Sequence, residues 1–537
     1  MDKPSGCHGQ LWCESVERQA RDLLRMHEVD LVEDGKTAEK MTGEMGQGMH
    51  SRISETNRIR SYDTRQSRGA SRAILSGPAP KAIIDKFTLI PILACVYALI
   101  VSHLLTFFTQ SGASQGEIAA ADAALQSEIA AAGARLDSRL FWPAMTAISI
   151  ILAMRNRSRL VLPPNLKCLV GYLAFAGASV LWALSPEHSL MRYLQQLMIV
   201  TSIVLPAMLA SRTVDMMRAL FLCFAFALLL NLYFVSQGSV DMAILSQGLV
   251  TIGYEGYFNG KNYLGECAAP ALLLSLHEIL QRGWGRRALG AIVAVIAVVL
   301  LFLSQSKTAL GLALICPILA WLTLLVRKTT RLSPAIILLS VPFCWIVASH
   351  VSSFGFPRLS YMLYHDSSLS GRIIIWGFTE SEIAHSPLLG WGYQSFWLVP
   401  NSPAYTEAPG WLKEMPNSHN GYYDTMLETG YVGLALLLVF ILATLHAVGR
   451  VADRDPGRAR LLLSLALFSI LYNFFESIWM RGFEFLWVLF VIVAAETGRY
   501  WGPFPLRGAG RSSAIRRAGA ASPSPTARVP RPNIGLP

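Results

Sequence analysis

Long apolar runs, each close to the length needed to cross a bilayer, leave this chain little choice of fold. A transmembrane α-helix needs about 20 consecutive, mostly apolar residues. Such runs lie near 87–108, 140–154, 168–185, 192–211, 216–236, 262–280, 288–303, 308–326, 334–350, 430–448, 460–477 and 483–499. Inside lipid every backbone N–H and C=O must be paired within the segment, which makes these runs helices. The expectation is an all-α polytopic membrane protein with about 12 transmembrane helices (10–12, because the runs at 140–154 and 288–303 are short). The composition agrees. The chain is 53% hydrophobic and 15% charged, whereas soluble domains carry about 25% charged residues.

Positive charge then sets a topology, because cytoplasmic loops are enriched in Lys and Arg. With the N-terminus inside, most of the 46 basic residues fall on the cytoplasmic side. The exceptions are Arg135, Arg139, Arg192, Lys261, Lys307, Arg358, Arg372, Lys413 and Arg481. The net charge of +11 is thus a topology signal, and gives no reason to invoke nucleic acid. Anionic membrane lipid is the expected partner of the basic tail.

The organisation follows. Residues 1–86 are polar and charged and read as a disordered cytoplasmic tail, with Met41, Met45 and Met49 as alternative starts. Nothing in this stretch looks like a cleavable signal, so the first span would direct insertion. Residues 87–240 are N-terminal spans with little chemistry, interrupted by an Ala-rich segment, Gln115 to Leu140, that reads as an amphipathic surface helix. Residues 241–350 hold further spans, 351–428 a large outer loop, 429–499 the last spans, and 500–537 a basic disordered tail. Two of the eight cysteines fall in the N-terminal tail and the others in spans, so no disulfide framework is implied. Connections longer than roughly 15 residues are usually functional or disordered. The outer loop carries Trp376, Trp391, Trp397 and Trp411, which favours a packed helical cap.

The outer-side cations sit in distinctive contexts. Lys261 and Asn262 follow glycines at the mouth of a span, where donors can meet an anion or a lysine can snorkel to water. Lys307, in Ser304-Gln305-Ser306-Lys307-Thr308, opens a helix as an anion site or as an ordinary cap by Ser304 or Ser306. Arg372 and Trp376, spaced by four, share a helix face, and Arg suits a bidentate grip on phosphate. Arg481 lies between Glu476 and Glu484, acids at the membrane edge that need partners. Glu484 is the nearer partner for an ion pair. His419 should occupy the first turn of a helix capped by Asn417 or Ser418, where the positive end of the helix keeps its ring neutral and able to accept a proton. Asn420, Asp424 and Glu428 follow at spacing four as one polar stripe. His365 and His385 are weaker candidates. No His or Cys spacing suggests a transition-metal site, so bound phosphates would be neutralised by Lys and Arg.

Taken together these blocks resemble the O-antigen ligase and exopolysaccharide polymerase superfamily of bacterial membrane proteins. The resemblance rests on Phe258 to Gly265, Ser304 to Ala309, Gly371-Arg372 with Trp376, Pro387 to Tyr393, and His419-Asn420-Gly421 followed by Glu428, Gly430 and Gly433. It implies a GT-C-like glycosyltransferase of the bacterial inner membrane, with both termini cytoplasmic and the loop periplasmic. Such enzymes act without a cofactor on undecaprenyl-diphosphate-linked oligosaccharide. They transfer it to an acceptor glycan, as polymerases do, or to lipid A-core, as ligases do, within a polysaccharide assembly complex. The Lys-Asn block and Gly-Arg-x-x-x-Trp look more like the polymerase branch. The expected site has His419 as base and Arg372 and Lys261 as the diphosphate clamp. Arg481, Lys307 and Asn262 assist, Asp424 or Glu428 orients His419, and Trp376, Trp391 and Tyr393 stack on sugars. A transporter of lipid-linked glycan is the rival class. Transporters place charge at the membrane midplane, whereas here polar motifs gather at the outer ends of the spans. A sensor would need a cytoplasmic output domain, and none is recognisable.

Overall fold

The computed structural model describes residues 86–110, 136–210, 213–245, 248–352, 372–408, 410–482 and 484–501. The expectations for both tails, for Arg358 and His365, and for all but the end of the Ala-rich segment lie outside these residues.

Each apolar run read from the sequence falls largely on helix, although 183–185 and 473–477 are not helical. Lys86–Val96 (α1) passes through a π-helical turn, Tyr97–Val101, into Ser102–Gln110 (α2). Leu136–Arg155 (α3), Pro164–Ala178 (α4), Pro186–Leu209 (α5) and Thr213–Ser236 (α6) follow. An antiparallel hairpin, Val240–Leu245 (β1) and Gly248–Tyr254 (β2), then interrupts the helical pattern, with a register shift between Asp241 and Met242. Lys261–Ile279 (α7), Trp284–Leu303 (α8), Lys307–Thr330 (α9) and Pro334–Ser352 (α10) complete the first set. After the loop helix Arg372–His385 (α11) come Gly421–Ala452 (α12), Pro456–Tyr472 (α13) and Phe485–Gly498 (α14). Among the described residues, 7 helices are long and apolar enough to cross a membrane, and Pro334–Phe343 and Phe485–Gly498 are shorter apolar helices. The protein is a polytopic membrane protein whose described residues are helical apart from the hairpin and the connecting turns.

Helix α14 explains how a short helix can be central. It is buried on every side, as a helix apolar all round must be. It packs against α1, α4, α5, α12 and α13.

The loop after α11 builds a cap with its own core. Ile375, Ile383, Phe396, Trp397, Ala404, Leu412 and Leu427 are buried together, with Trp376, Phe378 and Trp391 packed against them. The cap is keyed into a break in α12. Gly430 adopts φ 65°, ψ −169°, outside helical space. At that break the helix exchanges hydrogen bonds with the loop instead of with itself. Tyr431 and Val432 donate to the carbonyls of Pro387 and Leu388, while Trp391 and Gly392 donate to those of Leu427 and Glu428. A Cβ on Gly430 would lie 2.1 Å from the Leu388 carbonyl oxygen, and one on Gly390 would lie 2.5 Å from the Glu428 carbonyl carbon. The Pro387 to Gly392 block and Gly430 therefore form one joint. It fixes the short outer piece of α12, which carries Asp424 and Glu428, relative to the long inner piece.

Candidate active site

The turn after α13, residues 473–482, is the platform of the site. Asn473 organises it. Its Oδ1 accepts the N–H groups of Ile478 and Trp479 at 3.1 and 3.0 Å, and its carbonyl accepts that of Gly421 at 2.8 Å. Glu476 projects from this turn with its two oxygens on different partners. Oε2 meets His419 Nδ1 at 2.7 Å. Oε1 accepts from Arg372 Nη2 at 2.6 Å and from Asn262 Nδ2 at 3.1 Å. Arg372 also donates through Nε to the Phe475 carbonyl at 3.0 Å. Burial alone would raise the Glu476 carboxyl. The charges and hydrogen bonds of His419 and Arg372 outweigh it and hold the carboxyl below its ordinary range. With Nδ1 donating to Glu476, His419 Nε2 is the nitrogen left to take a proton.

His419 itself is not in a helix. The cap of α12 is Asn420, whose side chain accepts the N–H groups of Tyr422 and Tyr423, so His419 precedes the cap. This corrects the expected first-turn placement and removes the helix-terminus argument for its charge. His419 instead holds φ 51°, a left-handed conformation that few non-glycine residues adopt. Neighbours on both sides pin it. Its own N–H donates to Asn417 Oδ1 at 2.9 Å, and the next N–H, of Asn420, donates to Ser477 Oγ at 3.1 Å.

A second network lies beside the first. Asp424 Oδ1 accepts from Trp397 Nε1 at 2.9 Å and from the Ser418 N–H at 3.1 Å, and its Oδ2 takes Ser477 Oγ and Arg481 Nη2. Arg481 also donates to Glu428 Oε1 at 2.9 Å. The polar stripe of α12 is thus real, but its acids serve Arg481 and the loop while His419 is oriented by Glu476. Glu484 is likewise not the partner of Arg481, since its Oε1 accepts from Tyr263 Oη at 3.0 Å. Arg481 is 7% exposed and locked between two carboxylates, which makes it a strut between the turn and α12.

Both networks face a cavity of ≈ 410 Å³. Its walls come from the π turn and α2 (Tyr97, His103), from α5 (Arg192, Gln195), from the start of α7 (Lys261, Asn262, Glu266), and from His419, Glu428, Glu476, Arg481 and Glu484. The hairpin closes one side. Asp241 Oδ2 accepts the Lys261 N–H at 2.9 Å, and Lys261 Nζ donates to the Ile252 carbonyl at 3.0 Å. Arg192, also on the cavity wall, donates to the Gln394 carbonyl.

Of the residues singled out by sequence, Lys261, Asn262, His419, Glu428 and Arg481 line this cavity. Arg372 stands behind Glu476. Trp376 donates Nε1 to the Ser418 carbonyl at 3.1 Å and so braces the His419 loop. Lys307 is exposed at the start of α9 and is not among the lining residues. Tyr393 is fully buried with its hydroxyl on the Met480 carbonyl at 2.6 Å, and Trp391 donates to the Glu382 carbonyl at 3.0 Å. Trp391 packs against the cap core and Tyr393 belongs to the core of the membrane helices, which corrects their expected role as sugar platforms. Sequence reading passed over Glu476 as the partner of His419, and Asp241 altogether, while Arg192 stood among the outer-side cations with no role given to it. A signal for Glu476 was present: a carboxylate at a membrane edge needs a partner. Its partner lies 57 residues away, beyond any local spacing rule.

Comparison with known proteins agrees with this architecture. Residues 292–438 match the family model described as O-Antigen ligase. The chain is 28% identical over 314 residues to the exopolysaccharide production protein ExoQ of Rhizobium meliloti (strain 1021), covering 54% of this chain and 67% of that one. It is 26% identical over 160 residues to "Putative polysaccharide ligase" of Rickettsia bellii (strain RML369-C), covering 27% of this chain and 36% of the relative. The matched segment runs from α8 through the cap and across the α12 joint, and over it the chain is similar to the O-antigen ligase family and to relatives named for exopolysaccharide production and polysaccharide ligation.

Proposed function

We propose that this protein is a glycosyltransferase of the bacterial inner membrane that polymerises an undecaprenyl-diphosphate-linked oligosaccharide on the periplasmic side. The observation that carries the reading is the Arg372–Glu476–His419 chain at the cavity wall, with Lys261 and Asn262 beside it. In the reaction the acceptor hydroxyl oxygen attacks the anomeric carbon of the donor glycan. The bond from that carbon to the diphosphate oxygen breaks, and its electron pair leaves on the diphosphate. His419 Nε2 takes the hydroxyl proton, a contribution of typically about 10²–10⁴-fold. Lys261, on the cavity wall, meets the charge that grows on the leaving oxygens, where a preorganised cation lowers the barrier, and Arg372 acts through Glu476. Glu476 holds the imidazole in the productive orientation, as the carboxylate of a catalytic triad does.

The polymerase branch is favoured by the longer match, which is to a relative named for exopolysaccharide production. The second reading is a ligase that transfers the glycan to lipid A-core, favoured by the relative named as a polysaccharide ligase.

Complementation of a deletion strain with His419→Ala tests the reading. Long surface polymer should disappear while the variant still reaches the membrane at the wild-type level. Wild-type polymer length overturns the assignment. Purified protein supplied with lipid-linked repeat units separates the branches. A polymerase yields longer lipid-linked chains, and a ligase yields product only when lipid A-core is present.

A further inference from the structure

The second cavity of the molecule lies far from the first. It is a groove of ≈ 370 Å³ between the C-terminal end of α7, the middle of α9 and the start of α13. Lys261, at the other end of α7, lines the reaction cavity, and His277 lines this groove. At 1.5 Å per residue the two are about 24 Å apart along the helix axis, most of a bilayer core. The groove therefore belongs to the opposite membrane face.

Its wall is hydrocarbon: Leu273, Leu276, Pro317, Ile318, Trp321 and Leu461. Leu276, Ile318 and Trp321 are 41%, 58% and 50% exposed, so in a membrane they meet lipid tails. At one end the groove is edged by His277 and Arg460, and none of its lining residues is acidic. His277 pairs its Nε2 with the Gln281 amide at 3.0 Å. The carboxylate next to it, Glu278, is already held by Arg218 and Arg286 at 2.6 Å each, so it does not neutralise the rim. Arg460 is exposed on the first turns of α13. The ligand that fits has a hydrocarbon body and an anionic head at the membrane–water boundary.

We propose that this groove is a binding site for an anionic phospholipid of the leaflet on the basic face, with an acyl chain along α9 and the phosphate at Arg460 and His277. The polyprenyl diphosphate of the reaction has the same broad chemistry. Its diphosphate is needed at the other face, so the leaflet lipid is the assigned occupant.

Native mass spectrometry of the full chain in neutral detergent tests this, with phosphatidylglycerol, phosphatidylcholine and undecaprenyl diphosphate as probes. Wild type should retain phosphatidylglycerol over phosphatidylcholine. Arg460→Gln should lower that retention about fivefold, the factor that one basic residue contributes at an anionic surface. Leu276→Trp, which fills the exposed wall, should lower it without any change of charge. Arg331→Gln, a basic residue outside the groove, should leave it unchanged. Equal retention of the two phospholipids overturns the proposal, as does an equal loss with Arg331→Gln. Displacement of phosphatidylglycerol by undecaprenyl diphosphate assigns the groove to the substrate lipid and also overturns it. None of these outcomes depends on the chemistry proposed for His419.

Discussion

Glu476 is where charge, geometry and mechanism meet on one side chain. It divides its oxygens between His419 and Arg372, so a change at Arg372 is felt at the base. Glu476→Gln keeps the shape and removes the charge. Its transferase activity, on the function proposed above, should fall within the roughly 10²–10⁴-fold range ascribed to the base itself, and the pH dependence of the residual rate should move. A uniform drop with the wild-type pH profile would make Glu476 merely structural. Arg372→Lys should retain charge but lose the two-edged contact with Glu476 and the Phe475 carbonyl, giving a milder loss. Activity equal to wild type would show that positive charge alone suffices. The lowered Glu476 carboxyl also predicts an acid limb in stability. A carboxyl depressed in the folded state contributes fully above its unfolded value, and the contribution is lost as pH falls through the folded one. Melting in detergent should therefore weaken below about pH 4.5 in the wild type, more steeply than in Glu476→Gln. Parallel curves would remove the carboxylate from the stability balance.

At the scale of elements the joint between the cap and α12 matters most, because it aims the polar stripe. Gly430 sits where backbone geometry is essentially reserved for glycine, which costs other residues about 1–3 kcal/mol. A Cβ there also runs into the Leu388 carbonyl at 2.1 Å. Gly430→Ala should thus destabilise the protein by at least about 1–3 kcal/mol and misplace Asp424 and Glu428, lowering both melting temperature and activity. Gly377→Ala is the control. It lies in α11 with nothing within 4 Å of an added Cβ, and replacing a helical glycine there should be neutral or stabilise by about 0.4–1 kcal/mol. Equal effects from the two would show that the break is not a joint. The same joint shows what was legible beforehand. Gly430 and the Pro387 to Tyr393 block stand out in the sequence, yet their meeting requires a helix to exchange hydrogen bonds with a loop some 40 positions upstream. No periodicity reports that. The spans themselves were legible because lipid forces helices on apolar runs. Arg372 and Trp376 on one helix face follow from spacing alone, and both reach the site. The hairpin at 240–254 is an apolar, β-branched stretch between helices, and its pairing is decided by what it closes over.

At the scale of the whole molecule, the distribution of charge assigns two unlike faces. One carries the cap, His419 and the reaction cavity. The other carries Arg282 to Arg287, Arg327 to Arg331 and Arg450 to Arg460, and the insertion rule predicts that it faces the cytoplasm. The proposed chemistry needs this orientation, because a basic face turned outward would place the cavity on the wrong side for a periplasmic donor. Single-cysteine labelling in intact cells can decide it. The thiols Cys95, Cys223, Cys267 and Cys316 are buried, and Cys168 is only partly accessible. With Cys7, Cys13 and Cys344 replaced by serine, background labelling by a membrane-impermeant maleimide should be low. Lys413→Cys and Ser381→Cys, both exposed in the cap, should label without permeabilisation. Arg331→Cys, exposed at the end of α9 on the opposite face, should label only after the inner membrane is opened. Early labelling at Arg331→Cys together with protection at Lys413→Cys would invert the molecule. His419, Glu476 and the groove at Arg460 would then change compartments together, because the helices that carry them span the membrane as one bundle around α14.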